Sequence, residues 1–207
     1  TLGKSVCIVD LSQHSSLAHF LVANRFRSPD YASAILDKLS ITSTLAASCI
    51  TETPCGLSVL LPPSGGPDIR ELWLRNHDSF ETTLGLVDHL REKFDLVLVD
   101  YANAEGILPF ALLTRADTRL AVTTNEPASV HLLAEALKDL LTIPGKERCG
   151  IICNLVYQNS LTKEDILDYL YAIDNFNPEK FSSFSIPFDN RGRHWVGTKN
   201  SFFTESH

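Results

Sequence analysis

Short runs in which every residue is apolar, separated by amphipathic helical stretches, constrain this chain more than any other feature. Val6-Cys-Ile-Val-Asp10 and Leu96-Val-Leu-Val-Asp100 lack the apolar–polar alternation of a half-exposed strand. Continuous apolar runs of this length mark strands of a parallel sheet covered on both faces. Strands are predicted at Ser5–Leu11, Leu57–Leu61, Asp95–Asp100, Arg119–Thr124, Cys149–Leu155 and Phe184–Ile186. Between them, Leu84, Val87 and Leu90 line one face of a helix whose other side carries Glu81, Asp88, Arg91 and Glu92. Ala128–Leu141 repeats the pattern with Val130, Leu133, Leu137 and Leu140, and a third helix is predicted over Thr162–Ile173, opened by Thr162 with Asp165 three residues on. This alternation predicts an α/β fold: a mostly parallel, doubly wound sheet in a three-layer α/β/α arrangement. The one breaker cluster, Pro62-Pro-Ser-Gly-Gly-Pro67, reads as a surface loop, so residues 1–207 are expected to form a single domain.

Hydrophobic residues make up 44% and charged residues 21%, enough to bury a sizeable core and incompatible with disorder or coiled coil. No apolar run approaches the roughly 20 residues needed to cross a bilayer, so no transmembrane segment is predicted. A net charge of −7 and a pI near 5.4 repel phosphate backbones and argue against specific nucleic-acid binding. Three of the five cysteines (Cys7, Cys49, Cys55, Cys149, Cys153) lie in apolar strand-like runs, as buried thiols do, and point to a reducing, cytoplasmic setting. Thr1-Leu-Gly-Lys leads straight into a predicted strand, so a signal peptide is not expected there. The chain has no methionine, where average usage gives about four; residues missing ahead of Thr1 are therefore expected.

In an open parallel sheet, ligands bind beyond the carboxyl ends of the strands. Two predicted strands end there in aspartate, Asp10 and Asp100. A carboxylate at a rigid strand tip can orient a metal ion or its waters against a phosphate, as nucleotide hydrolases require. The alternative is that each caps the turn that follows it.

The order of the motifs resembles a known family. Gly3-Lys-Ser-Val-Cys-Ile-Val-Asp10-Leu-Ser12-Gln13 is similar to the segment after the first helix of the MinD/ParA superfamily of P-loop ATPases. Phe94-Asp-Leu-Val-Leu-Val-Asp100 resembles their Walker B strand. Leu112–Asp117, Val122-Thr-Thr, Glu126-Pro-Ala-Ser129, Gly150-Ile-Ile-Cys-Asn154 and Ser185-Ile-Pro-Phe-Asp189 follow in the family's order across nearly the whole chain. The wording around Val122 and the interval from Asp10 to Asp100 look closest to the CpaE/TadZ branch, associated with placing type IV (Flp/Tad) pilus machinery. The resemblance implies ATP and Mg2+ as cofactors, with Asp10 near the metal and Asp100 as the Walker B acid. It also implies that Asn154 hydrogen-bonds the adenine edge and that Pro187 borders the base. A nucleotide-dependent homodimer, protein partners in a secretion or pilus machine, and recruitment from the cytoplasm to a membrane complex are further implications. Read without the family, Asn154 equally fits a strand-end side chain satisfying a loop carbonyl.

Three departures bear on activity. The family's glycine-rich phosphate loop is absent from these residues and is expected about 30 residues ahead of Thr1, with the first strand. Ser12 stands where active relatives carry an aspartate that orients the attacking water; a neutral hydroxyl is a far weaker base, so hydrolysis is expected to be weak or absent. Tyr101-Ala-Asn-Ala-Glu-Gly106 displaces the glycine expected about four residues after Asp100, which implies altered sensing of the terminal phosphate.

These features support a positional or assembly factor that binds ATP. Alternatives are a non-catalytic scaffold of the same fold and a ParA-type partition ATPase. A receiver-like phosphoacceptor would need an acidic pair after the first strand and a late lysine, and neither is visible. Cys149 and Cys153 share a strand face but not a metal-binding spacing, and the histidines (His14, His19, His77, His89, His131, His194, His207) form no zinc motif. Arg191, Arg193 and Lys199, interleaved with Trp195 and Phe202, read either as a tail packing its aromatics on the core or as a contact for DNA or a partner protein.

Overall fold

The computed structural model describes residues 3–11, 43–53, 56–61, 77–101, 107–143, 149–156, 160–174 and 182–188. In chain order the elements are β1 (Val6–Asp10), α1 (Ser43–Ser48), β2 (Thr51–Glu52), β3 (Ser58–Leu60), α2 (His77–Lys93), β4 (Leu96–Asp100), α3 (Ile107–Arg115), β5 (Arg119–Thr124), α4 (Pro127–Thr142), β6 (Cys149–Val156), α5 (Lys163–Asp174) and β7 (Ser182–Pro187). The described residues fall into two compact units, one reaching to Tyr101 and the other beginning at Ile107.

In the first unit a four-stranded sheet has the order β2-β3-β1-β4. β1 runs parallel to both β3 and β4, and only the short β2 is antiparallel. Cys7 and Val9 in β1, Val59 and Leu60 in β3, and Leu90 on α2 are fully buried. The β2–β3 turn places Gly56 at φ +77, a left-handed conformation that costs other residues about 1 kcal/mol or more.

Asp95, just ahead of β4, pins β4 to β1. Its Oδ2 accepts from the Ser5 amide (2.8 Å) and the Ser5 hydroxyl (2.8 Å), its own amide donates to Ser5 Oγ (3.0 Å), and Lys4 Nζ lies 3.2 Å from Oδ1. These donors, the Ser5 amide foremost, pull the Asp95 carboxyl down to about 2. Because that value lies below the unfolded one near 4, the contribution is present above about pH 4 and is lost as pH falls through 2. Asp95→Asn is therefore expected to melt below the parent at pH 6, with the gap closing by pH 2. A gap that stays constant across that range in thermal melts would refute the assignment.

The second unit carries a parallel three-stranded sheet of order β5-β6-β7. One face packs against α4 and α5, where Val130, Leu133, Ala134 and Leu137 meet Ile151, Cys153, Ile166 and Leu170. These burials follow from 3.6-residue spacing on the helices and two-residue spacing on β6. Thr162 and Asp165 form the expected capping box at α5: Thr162 N and Oγ1 donate to Asp165 Oδ2 (2.9 and 2.7 Å), and Asp165 N donates back to Thr162 Oγ1 (3.1 Å).

The α/β class and the mostly parallel arrangement agree with the sequence, but complete covering of both sheet faces does not hold among the described residues. Among the described strands of the first unit β4 is last in the order, and Leu96, Leu98 and Val99 are exposed. Leu120 and Val122 on β5, with Phe184 and Ile186 on β7, are also exposed. An all-apolar strand reads as central whether or not its outer neighbour is present. α1, α3 and β2 were not expected, α4 and β7 extend beyond their predicted ends, and α5 is shifted by one residue from its predicted span. The Pro62–Pro67 loop and the basic, aromatic tail lie outside the described residues.

Candidate functional site

Asp10 and Asp100 are brought together in the first unit. They are register partners at the carboxyl ends of adjacent parallel strands, and Leu11 N donates to Asp100 O (2.9 Å), holding the two tips level. Asp10 is fully buried, whereas Asp100 stands exposed at the open edge. The Asp100 carboxyl is held above its ordinary value by its own desolvation first and by the Asp10 charge second. Two like-charged tips in register repel each other, and a divalent cation held by these carboxylates would relieve that repulsion. No group of three or more His, Cys, Asp or Glu side chains is placed to hold a metal among the described residues. Two hard oxygen donors nevertheless fit Mg2+, which is commonly bound through one or two carboxylates and keeps its remaining waters for substrate phosphates.

Asn154 and Pro187 lie on neighbouring strands of the second unit. Asn154, half-buried, is the register partner of Thr124 on β5. On its other side the ladder to β7 is interrupted between Cys153 and Val156, and pairing resumes at Val156–Pro187. Such an irregularity frees a strand end from regular pairing, a common device beside binding sites. Pro187 is exposed at the end of β7, just past the register irregularity, a kind of place where a missing N–H is tolerated.

Asn125, next to the Thr124–Asn154 pair, was not singled out from the sequence, although the flanking Val122-Thr-Thr and Glu126-Pro-Ala-Ser129 were. Asn125, fully buried, follows β5; its Nδ2 donates to Leu161 O (3.2 Å) and its main-chain oxygen accepts from Leu161 N (3.3 Å) and from the Ser160 hydroxyl. Thr124 Oγ1 donates to Ser129 Oγ (2.8 Å) in the first turn of α4. The polar run Thr123-Thr-Asn125 at a strand end was the available signal, but its pairing 35 residues away cannot be read from local pattern.

Ser12, Asp189 and residues 102–106, including the displaced Gly106, lie outside the described residues. Cys7, Cys149 and Cys153, in the strand-like runs, are buried free thiols as expected, and Cys49, outside those runs, is buried as well. Burial pushes the Cys7 thiol up to about 11 and raises Cys153, so both are un-ionised and unreactive at neutral pH. No described helix is long and apolar enough to cross a membrane.

No protein-family model and no curated relative matches the sequence. Solved structures do match. A ParA family ATPase from Chlorobium tepidum TLS superposes with a TM-score of 0.75 at 19% identity, covering 99% of this chain and 80% of that one. The MinD cell division protein of Aquifex aeolicus gives 0.64 at 18%, covering 99% and 78%. The cobyrinic acid a,c-diamide synthase of Mycobacterium smegmatis, with bound ADP and magnesium, gives 0.65 at 15%, covering 96% and 80%. The fold is thus that of the MinD/ParA-type P-loop NTPases. At these identities the likeness extends to fold alone, and the fold carries more than one activity.

Proposed function

We propose that this protein binds ATP with Mg2+ and acts as a positional or assembly factor of the MinD/ParA type, within the CpaE/TadZ-like branch that serves pilus machinery. The observation that carries the reading is the register-matched Asp10–Asp100 pair at the strand tips, with Asp100 driven toward a cation by desolvation and by its neighbour's charge. In this reading Asp10 and Asp100 hold the metal or its waters, while Asn154 and Pro187 receive the adenine. The bound metal supplies charge neutralisation for the phosphates. The phosphate-cradling loop comes from outside these 207 residues, as part of a single domain that includes them. Among the described residues β4 ends the sheet of the first unit, and this reading puts one more parallel strand beside it. Ser12 leaves the attacking water without a charged base, so hydrolysis is weak and the bound nucleotide acts chiefly as a switch for homodimerisation and partner contact.

Equilibrium binding of a fluorescent ATP analogue to the full-length polypeptide, with and without Mg2+, tests the reading. Magnesium-dependent micromolar affinity, about −8 kcal/mol, is expected. Absence of magnesium-dependent binding refutes it and leaves a scaffold that works through protein contacts.

A further inference from the structure

We propose that Asn125 is a positioning residue for base recognition, acting through the segment that joins β6 to α5. The proposal rests on the reading of Asn154 and Pro187 as the adenine site. Asn125 exchanges bonds with Leu161 in both directions, Nδ2 to Leu161 O at 3.2 Å and Leu161 N to its own main-chain oxygen at 3.3 Å, and the Ser160 hydroxyl donates to that same oxygen. Three bonds thus clasp the turn after β5 to residues 35 and 36 positions later.

The clasp begins one residue beyond a strand-end pair that includes Asn154. Thr124, one residue before Asn125, is the register partner of Asn154. Ser160 and Leu161 lie between Asn154 and the capping box of α5. The ladder to β7 is interrupted between Cys153 and Val156, so the register partner of Asn154 is Thr124 on β5, the residue next to the clasp, while β7 holds the strand again from Val156 onward. Asn125 is 0% exposed, so its bonds are shielded from competing water and removal of the carboxamide leaves Leu161 O without that donor. Selectivity between bases depends on donor and acceptor atoms held to within about half an ångström, which makes it more sensitive to such a support than phosphate affinity is.

The test compares Asn125→Ala and Ser160→Ala with the parent in the full-length protein, using ATP, GTP and inorganic tripolyphosphate, each with Mg2+. Asn125→Ala is expected to weaken ATP about tenfold and to shrink the ATP-over-GTP preference by a similar factor, with tripolyphosphate affinity within about twofold of the parent. Ser160→Ala, which leaves the exchange with Leu161 in place, is expected to move the preference in the same direction by a smaller factor, and it decides the matter if Asn125→Ala does not fold. An unchanged ATP-to-GTP ratio in a folded variant overturns the inference, as does an equal loss for all three ligands, which a merely structural role would give. Failure of the unaltered protein to bind ATP with Mg2+ overturns the function reading itself and this inference with it.

Discussion

Asp100→Asn is expected to abolish magnesium-dependent nucleotide binding while making the nucleotide-free protein slightly more stable. The two effects have one origin. Asp100 sits in register with Asp10 at the tips of adjacent strands, and its carboxyl is held above its ordinary value by desolvation and by the Asp10 charge. Without a cation, ionised Asp100 works against the fold, and neutralising it recovers about 0.5 kcal/mol, kept small because solvent screens an exposed strand tip. Since the folded value lies above the unfolded one, the penalty grows as pH rises through the raised value, so the gain should be present at pH 7 and vanish near pH 3. With Mg2+ and ATP the sign reverses, and losing one of two anionic oxygen donors should cost at least about 100-fold in affinity. Thermal melts with and without Mg2+, alongside titration calorimetry, read both halves. Unchanged magnesium-dependent affinity would remove Asp100 from the site.

The second large effect concerns the core of the second unit. Leu133 on α4 is 5% exposed and belongs to the cluster that contains Ile151, Cys153, Ile166 and Leu170. Leu133→Ala removes its contacts with the covered sheet face and leaves a cavity, for an expected loss of about 3 kcal/mol and a melting point lower by about 10 °C. Leu132, one residue earlier and 69% exposed, is the control; Leu132→Ala should change stability by less than about 0.5 kcal/mol. Equal losses at the two positions would contradict the orientation of α4. Because the chain has two compact units, the transition should be followed with probes in each.

Much of this was legible from residue pattern. β1, β4, β5 and β6 are built on short apolar or β-branched runs, and such runs of about five residues have few readings besides parallel strand. Asp10 and Asp100 were legible as strand-end carboxylates of one sheet, though not as register partners on adjacent strands, and Thr162 with Asp165 carried its own cap signature. α3 went unseen because Ile107–Arg115 is apolar until Thr114 and has Pro109 in its first turn, which a helix tolerates there but which breaks the usual pattern. β2 is two residues long and makes sense only against β3. Asn125 was invisible because its partners lie 35 and 36 positions away. The exposure of β4 was invisible for the opposite reason: its composition suits a covered strand, and what flanks it is a property of the sheet.

That exposure also sets how these residues behave in solution. Among the described residues β4 ends its sheet beside the exposed Leu96, Leu98 and Val99, and a row of peptide groups left uncovered there is a template on which other chains can add as intermolecular cross-strands. What opposes such growth is mutual repulsion between molecules carrying −7 each, a barrier that salt screens and that disappears as pH approaches 5.4. Colloidal stability therefore rests on surface charge until the β4 edge is covered, and handling at low ionic strength well above the isoelectric point is what the sheet edge requires.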